Sequence, residues 1–166
     1  VFLFGSCSAA VNSFAIDASG SVVVAGAQDG SLAVWKISDG KKIGAISGAH
    51  EGGVRAVAFL SPTCVVSAGA DNTVRIWQVS ADPRLRMLHR MAAGDAPLTA
   101  IAAWGQEGEA HQFLAAGGDD GTVYAWKANS LVSVEGEMRW VPTTVSHHLQ
   151  GKEVAELSFR GDGAEL

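Results

Sequence analysis

The sequence predicts an all-β fold made of repeated four-stranded units, and three observations support this prediction. Short apolar runs alternate with turn signals such as Asp29-Gly30, in which glycine supplies the positive φ that tight hairpin turns need. No stretch has the length and spacing of an amphipathic helix. A phrase with Asp and Trp six positions apart also occurs three times: Asp29-Gly-Ser-Leu-Ala-Val-Trp35, Asp71-Asn-Thr-Val-Arg-Ile-Trp77 and Asp120-Gly-Thr-Val-Tyr-Ala-Trp126.

The spacing of this phrase predicts the architecture. Trp35, Trp77 and Trp126 are 42 and 49 residues apart, close to the roughly 40 to 45 residues of a four-stranded propeller blade. A second, apolar phrase recurs at Val11, Phe14 and Ile16; Val54, Val57 and Phe59; Leu98, Ile101 and Ala103; and Val154, Leu157 and Phe159. Because no Asp and Trp follow the last copy, we expect a partial β-propeller of about three complete blades with incomplete flanking strands.

Each unit reads as four short strands joined by turns. In the first we expect strands at 11–16, 22–26, 32–37 and 43–46, and in the second at 54–59, 64–69, 73–79 and 85–91, with a looser turn around 81–83. Extra residues near 105–111 in the third unit predict a surface loop, since added loop length costs little closure entropy. The segments of this one domain are the end of a preceding blade (1–10), three blades (11–47, 54–91, 98–141) and the start of a truncated blade (154–166).

These motifs resemble the WD40 repeat family over nearly the whole chain. The second unit matches best, through Gly48-Ala-His50, Val54-Arg-Ala-Val57-Ala-Phe59, Ser67-Ala-Gly69-Ala-Asp71 and Arg75-Ile-Trp77. The family's terminal Trp-Asp is here Trp35-Lys36, Trp77-Gln78 and Trp126-Lys127, and the first and third units lack the Gly-His pair.

The resemblance implies a structural hydrogen-bond network of His50, Ser67, Asp71 and Trp77 in the second unit. Asp29 with Trp35, and Asp120 with Trp126, hold the equivalent turn and tryptophan positions. Ser67, His50 and Asp71 are also the residue types of a hydrolase triad, which needs an exposed nucleophile beside an oxyanion hole. The residues around Ser67 read as a strand interior instead, so we favour the structural network.

Composition restricts the functional classes. The formal net charge of −5 disfavours nucleic acid as a partner. The one basic cluster, Arg84, Arg86, His89 and Arg90, reads as a solvated outer strand or as a contact for RNA or an acidic peptide. Cys7 and Cys64 lack disulfide or zinc spacing, and the adjacent His147 and His148 read as loop residues. We expect no metal, no cofactor, no membrane partner and an intracellular location, with cytoplasm, nucleus and cilium left open.

The predicted function is that of a noncatalytic scaffold for protein–protein interaction, a subunit of a larger multiprotein assembly. In the resembling family, partners dock on the rim formed by turns between second and third strands and by loops into each first strand. Candidate partner-binding residues there are Gln28, Glu51, Asp95 and Asp119. Alternatives are a propeller in a ribonucleoprotein or nucleic-acid complex, and an enzyme with a site at the channel mouth. The remaining blades are expected in the same polypeptide, with a partner chain or a second copy as alternatives.

Overall fold

The computed structural model describes residues 7–79, 85–105, 111–129, 139–143 and 152–159. This described part contains twelve strands and no helix, so the all-β prediction is confirmed. Predicted features at residues 1–6, in the looser turn at 80–84, in the loop at 106–110, at His147 and His148 and beyond residue 159 lie outside the described residues.

The strands form three four-stranded sheets, which we call blades 1, 2 and 3. Each is an antiparallel meander in which strands consecutive in the chain are paired. Blade 1 contains β1 (Val11–Ile16), β2 (Val22–Ala27), β3 (Leu32–Lys36) and β4 (Lys42–Ile46). Blade 2 contains β5 (Val54–Ser61), β6 (Cys64–Gly69), β7 (Thr73–Gln78) and β8 (Arg86–Ala92). Blade 3 contains β9 (Leu98–Trp104), β10 (His111–Gly118), β11 (Val123–Asn129) and β12 (Arg139–Thr143).

The middle strands are buried on both faces, which explains why their apolar residues run continuously instead of alternating. In β6 the four residues from Val65 to Ala68 are all buried. Blade 2 lies between the other two blades, so side chains on either face of β6 meet a neighbouring sheet. A continuous apolar run bounded by turn signals is the pattern typical of such a strand.

The blades pack through two apolar clusters. Between blades 1 and 2, Val24 and Val34 meet Val54 and Val57, together with Trp77. The cluster between blades 2 and 3 contains Ala68, Val74, Ile76, Leu98, Ile101 and Leu114. Strand β5 contacts both β1 and β9, so the first strands of the three blades lie side by side. Full burial of each Val or Leu contributes roughly 1.5 to 3 kcal/mol, so these junctions carry much of the stability.

The turns between second and third strands differ from the prediction. The sequence indicated two-residue turns, but the structure has three-residue loops at 28–30, 70–72 and 119–121. In each, the third residue donates its N–H to the last residue of the preceding strand, as Gly30 does to the carbonyl of Ala27 at 3.1 Å. Only that third residue has positive φ, at 81° in Gly30 and 60° in Asn72. The Asp before this left-handed residue keeps a negative φ, and in all three loops its carboxylate accepts hydrogen bonds.

Residues 152–159 follow blade 3 without forming a strand in the described structure. Val154 is nevertheless 5% exposed, and its N–H donates to the carbonyl of Gly118 at 3.1 Å. Thr99 Oγ1 donates to the carbonyl of Val154 at 2.7 Å. Val154 therefore contacts blade 3.

Candidate functional site

Four polar side chains of blade 2 form a continuous hydrogen-bonded chain. Trp77 Nε1 donates to Ser67 Oγ at 2.8 Å, and Ser67 Oγ lies 2.7 Å from His50 Nε2. His50 Nδ1 lies 2.7 Å from Asp71 Oδ1. Since a carboxylate can only accept, His50 Nδ1 carries the proton that faces Asp71, and Ser67 donates its hydroxyl proton to Nε2. The polar side-chain atoms of the buried residues Trp77, Ser67 and His50 are thereby all hydrogen-bonded.

Two further residues complete the network. Thr73 Oγ1 donates to Asp71 Oδ1 at 2.8 Å, and Arg75 Nη2 donates to Asp71 Oδ2 at 2.6 Å. The backbone N–H of Glu51 points to the same Oδ2 at 3.4 Å. Side chains two residues apart on a strand share one face. Thr73 and Arg75 lie at every second position between Asp71 and Trp77, and this spacing is the sequence signal that predicts them as members of the network.

The network holds His50 neutral and Asp71 ionised. Burial lowers the pKa of His50, and this effect outweighs the hydrogen bond and the charge of Asp71. Burial alone would raise the pKa of Asp71. The hydrogen bonds from His50 and Thr73, together with the charge of Arg75, outweigh burial and lower this pKa. The electrostatics therefore match the hydrogen-bond directions.

The same geometry argues against a hydrolase triad. Ser67 is 0% exposed and His50 only 2%. Ser67 Oγ donates to His50 and accepts from the Trp77 indole inside the core, so its hydroxyl does not face solvent. A nucleophile must reach a substrate carbonyl beside an oxyanion hole. Ser67 does not meet this requirement.

Blade 1 has only part of this network. Asp29 is exposed and accepts from the side chains of Ser8 and Ser31, the latter at 2.6 Å. Trp35 is 3% exposed, but its Nε1 is buried without a hydrogen-bond partner. Ala25 stands where blade 2 has its serine, ten residues before the tryptophan. The indole therefore lacks the acceptor that it has in blade 2.

Blade 3 also has alanine in place of the serine. Asp120 accepts from the N–H and hydroxyl of Thr122, both at 2.9 Å. Ala116 holds the serine position, and Tyr124 stacks on Trp126 with ring centroids 6.2 Å apart. The turn Asp thus bonds the hydroxyl residue two positions later in all three blades, whereas the His-Ser-Trp part belongs to blade 2.

The candidate partner-binding residues Gln28, Glu51, Asp95 and Asp119 are all exposed. Their backbones are tied into neighbouring loops at one end of the sheets. Gln28 and Asp119 donate their N–H groups to the residues before β1 and β9, at 2.9 and 3.0 Å. Asn72 Nδ2 donates to the carbonyl of Asp95 at 2.9 Å. We call the surface formed by these four residues the rim.

Other sequence candidates are not rim residues. Arg86 and Arg90 are exposed on β8, the last strand of blade 2. Cys7 and Cys64 are free thiols at intermediate exposure, and burial raises the pKa of Cys7. The described residues contain no group of three or more His, Cys, Asp or Glu that could hold a metal ion. Nor does the described part include a helix of sufficient length and apolarity to cross a membrane.

Comparison with known families decides the identity of the repeats. The family described as WD domain, G-beta repeat matches residues 2–36, 40–78 and 93–127, which is more than half of the chain. The chain belongs to the WD40 repeat family. Each matched segment ends within one residue of a repeat tryptophan, so the family's repeat unit coincides with the phrase found in the sequence.

Curated relatives are similar in sequence to parts of this chain. Ribosome biogenesis protein ytm1 of Aspergillus oryzae is 38% identical over 80 residues, covering 46% of this chain and 16% of that protein. WD repeat-containing protein 36 of Homo sapiens is 35% identical over 107 residues, covering 63% of this chain and 12% of that protein. Periodic tryptophan protein 2 of Saccharomyces cerevisiae is 41% identical over 70 residues, covering 41% and 8%. The chain thus spans a small part of these relatives.

Solved structures confirm the partial propeller fold. The crystal structure of RRP9 WD40 repeats superposes with a TM-score of 0.67 at 15% identity, covering 93% of this chain and 43% of that one. The computationally designed Ika4 protein gives a TM-score of 0.68 at 25% identity, covering 95% and 84%. Blades 1 to 3 are therefore WD40 propeller blades.

Proposed function

We propose that this chain is part of a noncatalytic WD40 scaffold that holds other proteins together in a ribosome biogenesis complex. The observation that carries the proposal is its similarity to proteins named for ribosome biogenesis in Aspergillus oryzae and Eremothecium gossypii, at 38% and 43% identity. A nuclear location follows from the same proposal. The burial of Ser67 and its bonds to His50 and Trp77 support the noncatalytic interpretation.

The rim is the surface proposed to bind the partner. It carries exposed carboxylates at Glu51, Asp95 and Asp119, and these would repel the phosphates of RNA. The partner proposed for the rim is therefore a protein, and contact with the ribonucleoprotein particle is made through that protein. Further blades of the same polypeptide would complete the ring around the three described here.

The experiment compares three forms of the full-length polypeptide in cells. They are the unchanged protein, a rim variant (Gln28→Ala, Glu51→Ala, Asp95→Ala and Asp119→Ala) and a control with Arg86→Ala and Arg90→Ala. All six substitutions remove exposed side chains, so melting temperatures should be equal. Co-purifying proteins are measured by mass spectrometry and particle association by sedimentation, with and without ribonuclease.

The proposal expects the unchanged protein and the arginine control to sediment with ribosomal precursor particles. The rim variant should lose its co-purifying proteins, and ribonuclease should not release them from the unchanged protein. Normal protein association of the rim variant would refute the rim as the binding surface. Loss caused by the arginine variant, together with release by ribonuclease, would instead establish direct binding to RNA through β8.

A further inference from the structure

The last strand of blade 2 has one edge without a partner. In its sheet β8 follows β7, and it pairs with no other strand in the described part of the chain. The main strand contacts between blades are those of β5 with β1 and β2, and of β9 with β5 and β6, so the outer edge of β8 lies outside them. An unpaired edge presents a row of N–H and C=O groups that can bond an added strand.

The pairing of β8 with β7 shows which backbone groups face this edge. The N–H of Ala93 donates to the carbonyl of Asn72 at 3.0 Å. Backbone groups along an antiparallel strand point alternately to the partner strand and away from it. Because the pairing is regular from His89 to Ala92, Arg90 and Ala92 direct their N–H and C=O groups to the open edge.

Strand β8 has fewer features that prevent strand addition than the outer strands of blades 1 and 3. It has seven residues, whereas β4 and β12 have five each. Pro142 of β12 has no N–H to donate, and Gly44 weakens β4 as a strand. β8 contains neither proline nor glycine, and its register shift at Leu88 leaves the run from His89 to Ala92 regular. Its charged side chains are therefore the main feature that decides what can pair with it.

The charged side chains of β8 are arginines without a carboxylate partner. Arg86 and Arg90 are exposed, and neither forms an ion pair or a side-chain hydrogen bond within the described residues. Arg90 stands directly opposite Arg75, and like charges in this arrangement are unfavourable. Arg75 is balanced by Asp71, with Nη2 and Oδ2 2.6 Å apart. The charge of Arg90 would be balanced by a carboxylate from outside the blade.

The two arginines project from opposite faces of the sheet. Arg86 pairs with Gln78 and Arg90 with Arg75, and side chains three positions apart on a strand point to opposite faces. Met87, which follows Arg86, is 47% exposed, and all the other large apolar residues that are exposed in the described structure belong to β1. Methionine adapts its shape to different apolar partners. A segment that pairs with β8 would therefore present carboxylates on both of its faces together with an apolar residue.

We propose that the outer edge of β8 binds an extended acidic segment of another protein by strand addition. Main-chain hydrogen bonds to Arg90 and Ala92 hold the segment as a fifth strand of blade 2, and its carboxylates pair with Arg86 and Arg90. RNA phosphates would balance the arginines, but they do not match the alternating N–H and C=O groups of a strand edge. The inference goes beyond the proposed function, since it involves neither the rim nor the ribosome biogenesis complex.

Fluorescence anisotropy of labelled peptides tests strand addition on the purified full-length polypeptide. A single added strand buries the small area of a transient contact, so purified components replace purification from cells. The probe is a peptide of about eight residues, within the usual length of a strand, composed of glutamate, valine and threonine. Its glutamates occupy odd and even positions, so that carboxylates project from both faces. One control peptide has lysine for glutamate, and the other is the glutamate peptide with N-methylated backbone amides.

Three variants of the polypeptide separate charge from strand addition. Arg86→Ala with Arg90→Ala removes the charges of β8, and Lys36→Ala with Lys41→Ala removes two exposed positive charges from blade 1 as the matched control. Ala92→Pro removes an outward N–H and keeps both arginines, because proline is tolerated where the N–H of an edge strand faces solvent. Melting temperatures show whether each variant is folded, and the methylated peptide tests strand addition without any change to the protein.

The glutamate peptide should bind about tenfold more weakly to the arginine variant and to Ala92→Pro, and the lysine variant should differ from the unchanged protein by less than about twofold. The lysine peptide and the methylated peptide should not bind.

Four outcomes overturn the proposal. They are no binding of the glutamate peptide, equal affinities of the arginine and lysine variants, undiminished binding of the methylated peptide, and binding of a labelled oligouridylate in place of the glutamate peptide. The last outcome, if abolished in the arginine variant, would make β8 an RNA surface. None of them bears on the rim, because the rim consists of other residues and is tested by association in cells.

Discussion

Asp71→Ala removes the carboxylate on which the blade 2 network ends. Three side-chain donors bond to it, His50 at 2.7 Å, Thr73 at 2.8 Å and Arg75 at 2.6 Å. Each bond contributes about 0.5 to 1.5 kcal/mol net, and an unsatisfied buried donor costs about 1 to 3 kcal/mol. Thr73 Oγ1 lies 3.3 Å from His50 Nδ1 and can partly replace the lost acceptor. We therefore expect a decrease of about 2 to 3 kcal/mol in the free energy of unfolding.

Urea unfolding followed by tryptophan fluorescence measures this decrease. Asp71→Asn keeps an acceptor for His50 but loses the charge that holds Arg75, so its effect should be intermediate. Gln78→Asp restores the family's Trp-Asp pair and should change stability little, because Gln78 has no bond to the network among the described contacts. Asp29→Ala should cost less than Asp71→Ala, since Asp29 is exposed. Equal, small effects of all four substitutions would refute the reasoning.

Three further predictions concern single residues. Burial lowers the pKa of His50 below its usual value of 6.5, so unfolding takes up a proton when the pH is below 6.5. The free energy of unfolding should therefore fall as the pH drops from 6.5, and unfolding curves of His50→Gln should show a shallower fall. Ala25→Ser should stabilise the protein by about 1 kcal/mol by giving Trp35 Nε1 an acceptor, whereas Ala33→Ser in the same cluster should destabilise it, as urea midpoints will show. Asn72→Ala should lose about 1 to 2 kcal/mol more than Asn72→Gly, since only glycine adopts positive φ without steric cost; equal midpoints would contradict this.

Strands could be predicted from the sequence because their signal is local. In blade 1 each predicted strand lies within one residue of the observed bounds, and in blade 2 β5 runs to Ser61, two residues beyond its predicted end. The sequence predicts two-residue hairpin loops where the structure has three-residue loops, because Asp-Gly occurs in both kinds of loop. The φ of Asp29 separates the two types, and composition alone does not reveal it.

Contacts between blades could not be predicted in the same way. Asn12 bonds to a carbonyl 42 residues later, and Thr99 to one 55 residues later. No local pattern marks these residues, since their partners depend on how one sheet lies against the next. The unpaired indole of Trp35 is different, because alanine at position 25, where blade 2 has Ser67, is visible once the repeats are aligned.

Hydrogen bonds join the blade 2 network and its turn to the backbone of the rim, and they affect how rim variants are interpreted. Asp71 Oδ2 accepts the backbone N–H of Glu51, and the next residue, Asn72, bonds the carbonyl of Asp95. Loss of the Asp71 carboxylate would therefore release the backbone that presents Glu51, while Asn72 would still hold the backbone at Asp95. Partner binding would then weaken without any rim side chain being changed. Glu51→Ala leaves that backbone N–H in place. If Glu51→Ala impairs binding at unchanged stability, the side chain contacts the partner, whereas an effect confined to Asp71→Ala would show that the network only supports the loop.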